Sequence, residues 1–209
     1  DDNCPADLVI TQEPVSGTLL TTHNNDTTIW IIADDGHGNK DSASFVLTVA
    51  DTTRPTLTAM TDTTEHLDAS CEFSIPDYTY RTTVDDNCPA DLVITQEPVS
   101  GTILTVHNND TTIWIIADDG HGNKDSASFV LTVLDTINPV ALCKDITIYL
   151  DDTTGTAVIT PEDIDDGSYD NCSISLMTID KSNFNATDVG PNIVKLVVQD
   201  PAGNKDSCN

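Results

Sequence analysis

Carboxylate and amide side chains gather in short clusters that recur along the chain. The segment "DDNC" spans residues 85–88 and "ADDGHGN" spans residues 117–123, and each contains two adjacent aspartates. Neighbouring carboxylates repel one another unless a cation neutralises them. Ca²⁺ takes about six to eight oxygen ligands from carboxylates, amides and backbone carbonyls, and glycines let a loop turn its carbonyls inward. The clusters therefore predict calcium binding.

The predicted ligands form two groups, one at each junction between domains. In an immunoglobulin-like topology the B–C and F–G loops lie at the end where the chain enters, so they would face the aspartate that joins two domains. The two sets are Asp51, Asp85, Asp86, Asp118, Asp119 and Asn123, and then Asp135, Asp165, Asp166, Asp170, Asp200 and Asn204. Bound metal would stiffen each joint. The alternative is that these residues only form turns, and their spacing matches no EF-hand loop.

The positions of the domain junctions are inferred from an internal repeat in the sequence. Residues 1–51 align with residues 85–135 at an offset of 84, with three differences. A fixed period of this kind indicates a tandem array. We divide the chain into the C-terminal part of one repeat (1–50), a complete repeat (51–134) and a third repeat truncated at its last strand (135–209). We expect the sequence to be a window onto a longer protein.

The strand signals are short and rich in Val, Ile, Thr and Phe, for example "TTIWIIA", "SASFVLTV", "CEFSI" and "DITIYL". Turn clusters separate them, and no segment has a convincing helical period. This pattern predicts an all-β fold of tandem immunoglobulin-like β-sandwiches. Prolines in "DTTRP" and "DTINP" would stiffen the joints and produce a rod. Trp30 and Trp114 are predicted to pack in the core of a central strand.

Composition excludes several classes of function. The chain has 8 Lys and Arg against 35 Asp and Glu, a formal charge of −27. Binding to nucleic acid needs cationic side chains, so neither nucleic acid nor an anionic membrane is an expected partner. No apolar run approaches the ~20 residues of a membrane helix, so no membrane insertion is expected. The histidines lie in polar turns without a Ser–His–Asp pattern or HExxH, and we expect no enzymatic activity.

Six cysteines in an acidic, β-rich chain indicate an oxidising compartment. Cys71 and Cys88 lie in one repeat on predicted neighbouring strands, which predicts a disulfide between them. Cys4 is the equivalent of Cys88, so its partner would precede residue 1. Cys143 near the first strand and Cys208 near the last strand of the third repeat predict a long-range disulfide, which leaves Cys172 over.

Residues 139–209 resemble the hyalin-like (HYR-type) immunoglobulin-like repeats of giant surface proteins from Bacteroidota, including adhesins of gliding bacteria. The motifs that carry the resemblance are "CKDITIYLD", "DVGPN" and "DPAGNKDSC". Residues 1–134 resemble them more loosely, through "DDNCP", "VITQEPVSGT" and "ADDGHGN". The resemblance implies secretion to the cell surface, an adhesive or filament-forming role and the Cys143–Cys208 pairing. It offers no partner for Cys172, because "FNATDVG" lacks a cysteine that such repeats often have.

The resemblance also implies a modification. Bacteria of this phylum attach O-glycans at Asp-Ser/Thr-apolar motifs, and the alternative is ordinary turn and strand-edge usage. The corresponding hydroxyl residues are Thr27, Ser42, Thr52, Thr63, Thr111, Ser126, Thr136 and Thr153.

These features together predict an extracellular stalk segment of a surface adhesin or filament, whose partners are the neighbouring repeats of its own chain. The first alternative is that each repeat binds surface glycans or other cell-surface proteins weakly and that the sites act by multivalency. Two further alternatives are the accessory stalk of an enzyme and assembly into a multi-chain fibre by strand exchange.

Overall fold

The computed structural model describes residues 7–209, and in that range the chain forms strands, short 3₁₀ turns and one four-residue helix. The strands of the first two repeats are β1 Val9–Glu13, β2 Asn25–Asp34, β3 Lys40–Val49, β4 Thr56–Leu57, β5 Thr63–His66, β6 Phe73–Ser74, β7 Val84–Asp85, β8 Val93–Glu97, β9 Ile103–Leu104, β10 Asn109–Asp118 and β11 Lys124–Leu134. The third repeat contains β12 Thr156–Val158, α1 Pro161–Ile164, β13 Leu176–Ile179, β14 Asn183–Asn185, β15 Leu196–Gln199 and β16 Lys205–Cys208.

The described chain divides into two compact units. The first unit comprises residues 7–56, 84–93 and 117–125, and the second comprises residues 57–83, 94–116 and 126–209. These units do not follow the repeat boundaries read from the sequence, so the division at residues 50/51 and 134/135 stays a prediction.

The first unit contains a three-stranded antiparallel sheet in the order β1–β2–β3. β2 and β3 pair over their whole length, from Asn25 opposite Val49 to Asp34 opposite Lys40. The turn between them contains Gly36 and has that residue at a φ of 73°, a left-handed conformation that glycine adopts without steric cost. Because side chains alternate along a strand, Ile29 and Ile31 of β2 point to one face of this sheet and Trp30 points to the other.

The second unit contains a four-stranded sheet in the order β5–β11–β10–β8, in which β5 runs parallel to β11. Alternate side chains of β10 and β11 point inward, and Ile113, Ile115, Leu131 and Val133 are fully buried. Residues of the segment 57–83 pack against them and complete the core, namely Leu67, Ile75 and Tyr78. The predicted all-β sandwich class is therefore confirmed.

The third repeat has a separate core in the second unit. Sheets β13–β15–β16 and β12–β14 enclose Ile159, Phe184, Leu196 and Val198. The strand predicted at "DITIYL" does not form, because residues 145–150 find no ladder partner and instead line a cleft of about 950 Å³. The opposite wall of that cleft is formed by residues 188–194.

The predicted disulfide between Cys143 and Cys208 is present and closes a sequence separation of 65 residues. It links the start of the third repeat to β16, and both cysteines pack against the core of that repeat. A cross-link over a long loop restricts the unfolded chain more than the folded one, so it stabilises the repeat.

The tryptophan prediction is wrong. Trp30 and Trp114 are each 45% exposed, although they lie on the long strands β2 and β10. Because side chains alternate along a strand, the neighbours Ile113 and Ile115 face the core while Trp114 faces the other way. "TIWIIA" is apolar on both faces, but only one face of β10 is covered.

Candidate functional site

Two similar clusters surround the aspartates that join the repeats, and we call each a clasp. The first clasp consists of Asp51, Asp86, Asn87, Cys88 and Asn123, all in the first unit. The second consists of Asp135, Asp170, Asn171, Cys172 and Asn204, all in the second unit.

In the first clasp, Asp51 is held from several sides. Its Oδ1 accepts hydrogen bonds from the Thr53 N–H at 2.9 Å and from Asn87 Nδ2 at 3.2 Å. Its backbone carbonyl accepts one from Asn123 Nδ2 at 3.3 Å, and its N–H donates to His23 Nδ1 at 2.8 Å. The side chain is only 7% exposed, so the two bonds to Oδ1 replace part of the water around the carboxylate.

The second clasp repeats this arrangement around Asp135. Asn171 Nδ2 lies 3.4 Å from Asp135 Oδ1, and Asn204 Nδ2 donates to the Asp135 carbonyl at 3.3 Å. The Asp135 N–H donates to His107 Nδ1 at 2.8 Å. Asn171 Nδ2 also donates to the Asp68 carbonyl at 3.0 Å, which ties the third repeat to the second.

Buried aspartates of the hairpin turns position the clasp amides. Asp119 is fully buried; its Oδ1 accepts from the N–H groups of His121 and Asn123, and its Oδ2 accepts from Asn123 Nδ2 at 2.6 Å. Asp200 holds Asn204 in the same way, at 2.8 Å from the N–H and 2.7 Å from Nδ2. Burial opposes ionisation of Asp119, but the bonds from Asn123 and His121 outweigh it and lower its pKa.

Four of the predicted metal ligands lie in other settings. Asp85 is exposed on β7, and Asp118 forms an ion pair with Lys124 at 2.6 Å. Asp165 accepts from the Ser168 N–H at 3.0 Å, and the Asp166 N–H donates to the Leu142 carbonyl. In the described residues none of the four joins a clasp residue in a three-member donor group, because each is engaged in its own turn or strand.

Both clasps contain buried polar atoms without hydrogen-bond partners. They are Asp51 Oδ2, Asp86 Oδ2 and His121 Nδ1 near the first clasp, and Asp170 Oδ1 and Asn171 Oδ1 in the second. One donor atom each from Asp135, Asp170 and Cys172 lies within 4.8 Å of the others, as does one each from Asp51, Cys88 and His121. Unpaired buried oxygens are costly, and a cation would satisfy them.

The donor sets of the two clasps differ chemically. The second offers carboxylate and amide oxygens, which suit a hard cation such as Ca²⁺, since its cysteine sulfur is already in a disulfide. The first adds a thiol and an imidazole, donors that softer cations prefer.

The predicted disulfide between Cys71 and Cys88 is wrong, because Cys71 bonds Cys172 at a sequence separation of 101 residues. Cys71 lies in a turn braced by Asp68, whose Oδ1 accepts from the N–H groups of Ser70 and Glu72. That turn adjoins the end of its repeat, since the nearby Leu67 N–H donates to the Leu134 carbonyl. Its closest cysteine therefore comes from the next repeat.

Among residues 7–209, Cys88 is a free, half-buried thiol. The hydrogen bond to Asp51 raises the pKa of this thiol most, and burial and the charges of Asp51, Asp86 and Asp91 raise it further. The pKa of Asp51 is lowered to about 2, first by the Thr53 N–H, against burial, and then by Asn87 and Cys88. Cys4 and the prediction for its partner lie outside the described residues.

Sequence reasoning missed the clasp asparagines Asn87 and Asn171 and the histidines His23 and His107. The tripeptide Asp-Asn-Cys was the available signal, because it occurs at 86–88 and at 170–172 inside otherwise different segments.

The hydroxyls predicted to carry glycans are exposed at Ser42, Thr52, Ser126, Thr136 and Thr153 and half-buried at Thr27, Thr63 and Thr111. In the range 7–209, no helix has both the length and the apolar character to cross a bilayer.

No family model and no curated protein matches the chain. Among solved structures, it is similar to Protocadherin Gamma B7 extracellular cadherin domains 1–4, with 12% identity and a TM-score of 0.37 over 88% of this chain and 55% of that one. It is also similar to human CDH23 EC21-23 (14% identity, TM-score 0.36, 86% and 72% covered) and to the human Desmocollin-1 ectodomain (12%, 0.31, 99% and 48%). The chain thus spans about half the length of the first and third of these structures.

The substitution Asp51→Asn tests the role of the carboxylate in the first clasp. Because the pKa of Asp51 is about 2 in the folded chain and ordinarily 3.8, its ionisation favours folding above the ordinary pKa. This contribution is lost as the pH falls toward about 2. The free energy of unfolding, measured by urea denaturation in chelator, should therefore fall less steeply between about pH 4 and about pH 2 in the variant than in the parent.

The matched control is Asp152→Asn, because Asp152 is exposed in the third repeat. Its pH slope should equal that of the parent. Equal slopes for Asp51→Asn and the parent would contradict the assignment of a stabilising role to the ionised Asp51.

Proposed function

We propose that the chain is a stalk segment of a secreted bacterial cell-surface adhesin or filament, which extends a binding end away from the cell. The Cys71–Cys172 disulfide carries this proposal, because it links one repeat covalently to the next. A stalk needs joints that resist bending and tension, and a bond between repeats supplies such a joint. The role requires no catalysis, and none is proposed.

The hydrogen bonds of the second clasp support the same role. Asn171 bridges the Asp68 carbonyl of the second repeat and the Asp135 carboxylate of the joint. Asn204 adds a bond to the joint backbone. The joint is therefore held by the amides of Asn171 and Asn204 as well as by sulfur.

The disulfides also support an extracellular location. Two cross-links form among the described residues, and cross-links of this kind persist in oxidising compartments rather than in the cytosol. The charge of −27 keeps neighbouring chains apart and in solution. Both properties suit a segment exposed outside the cell.

We further propose that the second clasp binds Ca²⁺ and that Asp135, Asp170 and Asn171 would hold it. The support is the pair of buried oxygens without partners, Asp170 Oδ1 and Asn171 Oδ1, beside the Asp135 carboxylate. A bound cation would neutralise the two carboxylates and draw the joint together.

Single-molecule stretching tests the covalent joint. With both disulfides intact, tension passes from Cys71 to Cys172 without extending the backbone between Cys71 and Cys143. Replacing Cys71 and Cys172 by serine should lengthen the fully unfolded chain by roughly 40 residues, about 150 Å at ~3.4 Å per residue. Cys143→Ser with Cys208→Ser is the control for general cross-link loss, and an unchanged length in the first variant would refute the transmission of tension through Cys71–Cys172.

Thermal unfolding tests the metal. Millimolar calcium should raise the melting temperature over that in chelator, by about 5 °C if the site is close to saturated, because the cation binds the folded state. Asp170→Asn keeps the acceptor for the Cys172 N–H but removes the charge, so it should abolish the rise. Asp152→Asn should retain it. A melting temperature that does not respond to calcium in the parent would remove the metal from the proposal.

Weak binding of glycans or proteins at each repeat is the second candidate function. The exposed Trp30 and Trp114 favour it, because they present the same aromatic ring at the same place in two repeats. A glycan array should then show binding that Trp30→Ala combined with Trp114→Ala removes, whereas a pure spacer binds nothing.

A further inference from the structure

We propose that β1–β3 and Cys88 together form a docking site for a further copy of residues 51–84 that is joined directly ahead of Asp1. In that copy, the counterparts of Leu67, Ile75 and Tyr78 would cover the sheet, and the counterpart of Cys71 would bond Cys88. The inference goes beyond the stalk role and does not depend on it.

The first observation is an apolar sheet face that is partly exposed in one repeat and covered in the other, although Ile29 of that face is only 8% exposed. Three apolar residues of β2 and β3 are 36–54% exposed, while their equivalents in β10 and β11 are at most 3% exposed. The pairs are Ile31 and Ile115, Phe45 and Phe129, and Leu47 and Leu131. The strands themselves have identical sequences at these positions, so the difference comes from what lies on them.

The tryptophans on the opposite face of the same strands show no such difference. Trp30 and Trp114 are both 45% exposed, although they occupy equivalent positions on β2 and β10. The two sheets are thus alike at the tryptophan position, whereas Val46 on the outer face is 60% exposed and its equivalent Val130 is half-buried. In the second unit the inner face is covered by Leu67, Ile75 and Tyr78 of residues 57–83. A segment with the same sequence is the occupant that this face fits.

The second observation is a thiol in a position that is cross-linked in the other clasp. Asn87 Nδ2 lies 3.5 Å from Cys88 Sγ, and Asn171 Nδ2 lies 3.5 Å from Cys172 Sγ. The Cys88 N–H donates to Asp86 at 2.8 Å, as the Cys172 N–H does to Asp170 at 3.0 Å. Cys172 is bonded to Cys71, whereas Cys88 is free.

One occupant satisfies both observations. A copy of residues 51–84 ahead of Asp1 would place its cysteine 101 residues before Cys88, the separation of Cys71 from Cys172. The same copy carries the three core residues that cover the sheet. One carboxylate oxygen of Asp51 lies within 4.8 Å of Cys88 Sγ, so the thiol belongs to the same cluster as the joint aspartate.

Formation of the bond is an oxidation. Each thiol loses one proton and one electron, and a small-molecule disulfide accepts them and is reduced to two thiols. Oxidised glutathione serves this purpose in vitro. The expected product is a series of identical sulfur bonds, each joining one repeat to the next.

The test uses the full chain extended at its N-terminus by a copy of residues 51–84. Ser70→Ala in the added copy gives its cysteine peptide a distinct mass. After oxidation with oxidised glutathione, peptide mapping should join the added cysteine to Cys88. Alkylation of Cys88 should fall by more than about tenfold relative to the parent, and amide exchange across β2 and β3 should slow by a similar factor.

Two matched variants separate the covering role from the sulfur bond. Serine in place of the added cysteine should keep the slow amide exchange but leave Cys88 open to alkylation. Aspartate in place of the added counterparts of Leu67 and Ile75 should abolish both effects. Unchanged exchange over β2 and β3 in the extended chain would overturn the proposal, and so would a Cys88 that still alkylates or an added cysteine bonded to any other residue.

Discussion

Each joint between repeats depends on an aspartate that is withdrawn from water. A buried carboxylate is stable only when hydrogen bonds or opposite charge replace its hydration, and an unsatisfied one costs several kcal/mol. The Asp51 and Asp135 carboxylates each accept a hydrogen bond from one amide, Asn87 and Asn171 respectively. The backbone carbonyls of the same two aspartates accept from Asn123 and Asn204. These bonds connect two loops that are distant in sequence to each joint aspartate.

The cysteines add a covalent bond to one of the two joints. The turn braced by Asp68 presents Cys71 at the end of its repeat, and the clasp presents Cys172 at the start of the next. Asn171 contacts both the Asp68 carbonyl and the joint carboxylate, so the amide and sulfur links act on the same pair of elements. A joint held in two ways would resist both bending and separation, as the proposed stalk requires.

The duplicated strands show how the exposure of identical side chains depends on their surroundings. β2 and β10 have the same sequence, and β3 matches β11 except at the final residue of the latter. Their inward residues differ widely in exposure, while their outward tryptophans do not. Burial is thus a property of the layer that covers a strand. The partner that we propose for the hydrophobic face of β1–β3 has a sequence that is already present once in this chain, within residues 51–84.

The sequence by itself determined the period, the all-β class, the Cys143–Cys208 link and the aspartates on which the joints are built, because repeats, β-branched runs and turn residues are local signals. It also identified Asp86, Asp119 and Asn123 as members of one cluster. The tertiary structure decided the partner of Cys71, the outward direction of Trp30 and Trp114, and the separation of Asp85, Asp118, Asp165 and Asp166 from the clasps. These outcomes depend on which elements from different repeats pack together, and spacing along the chain carries no information about that packing.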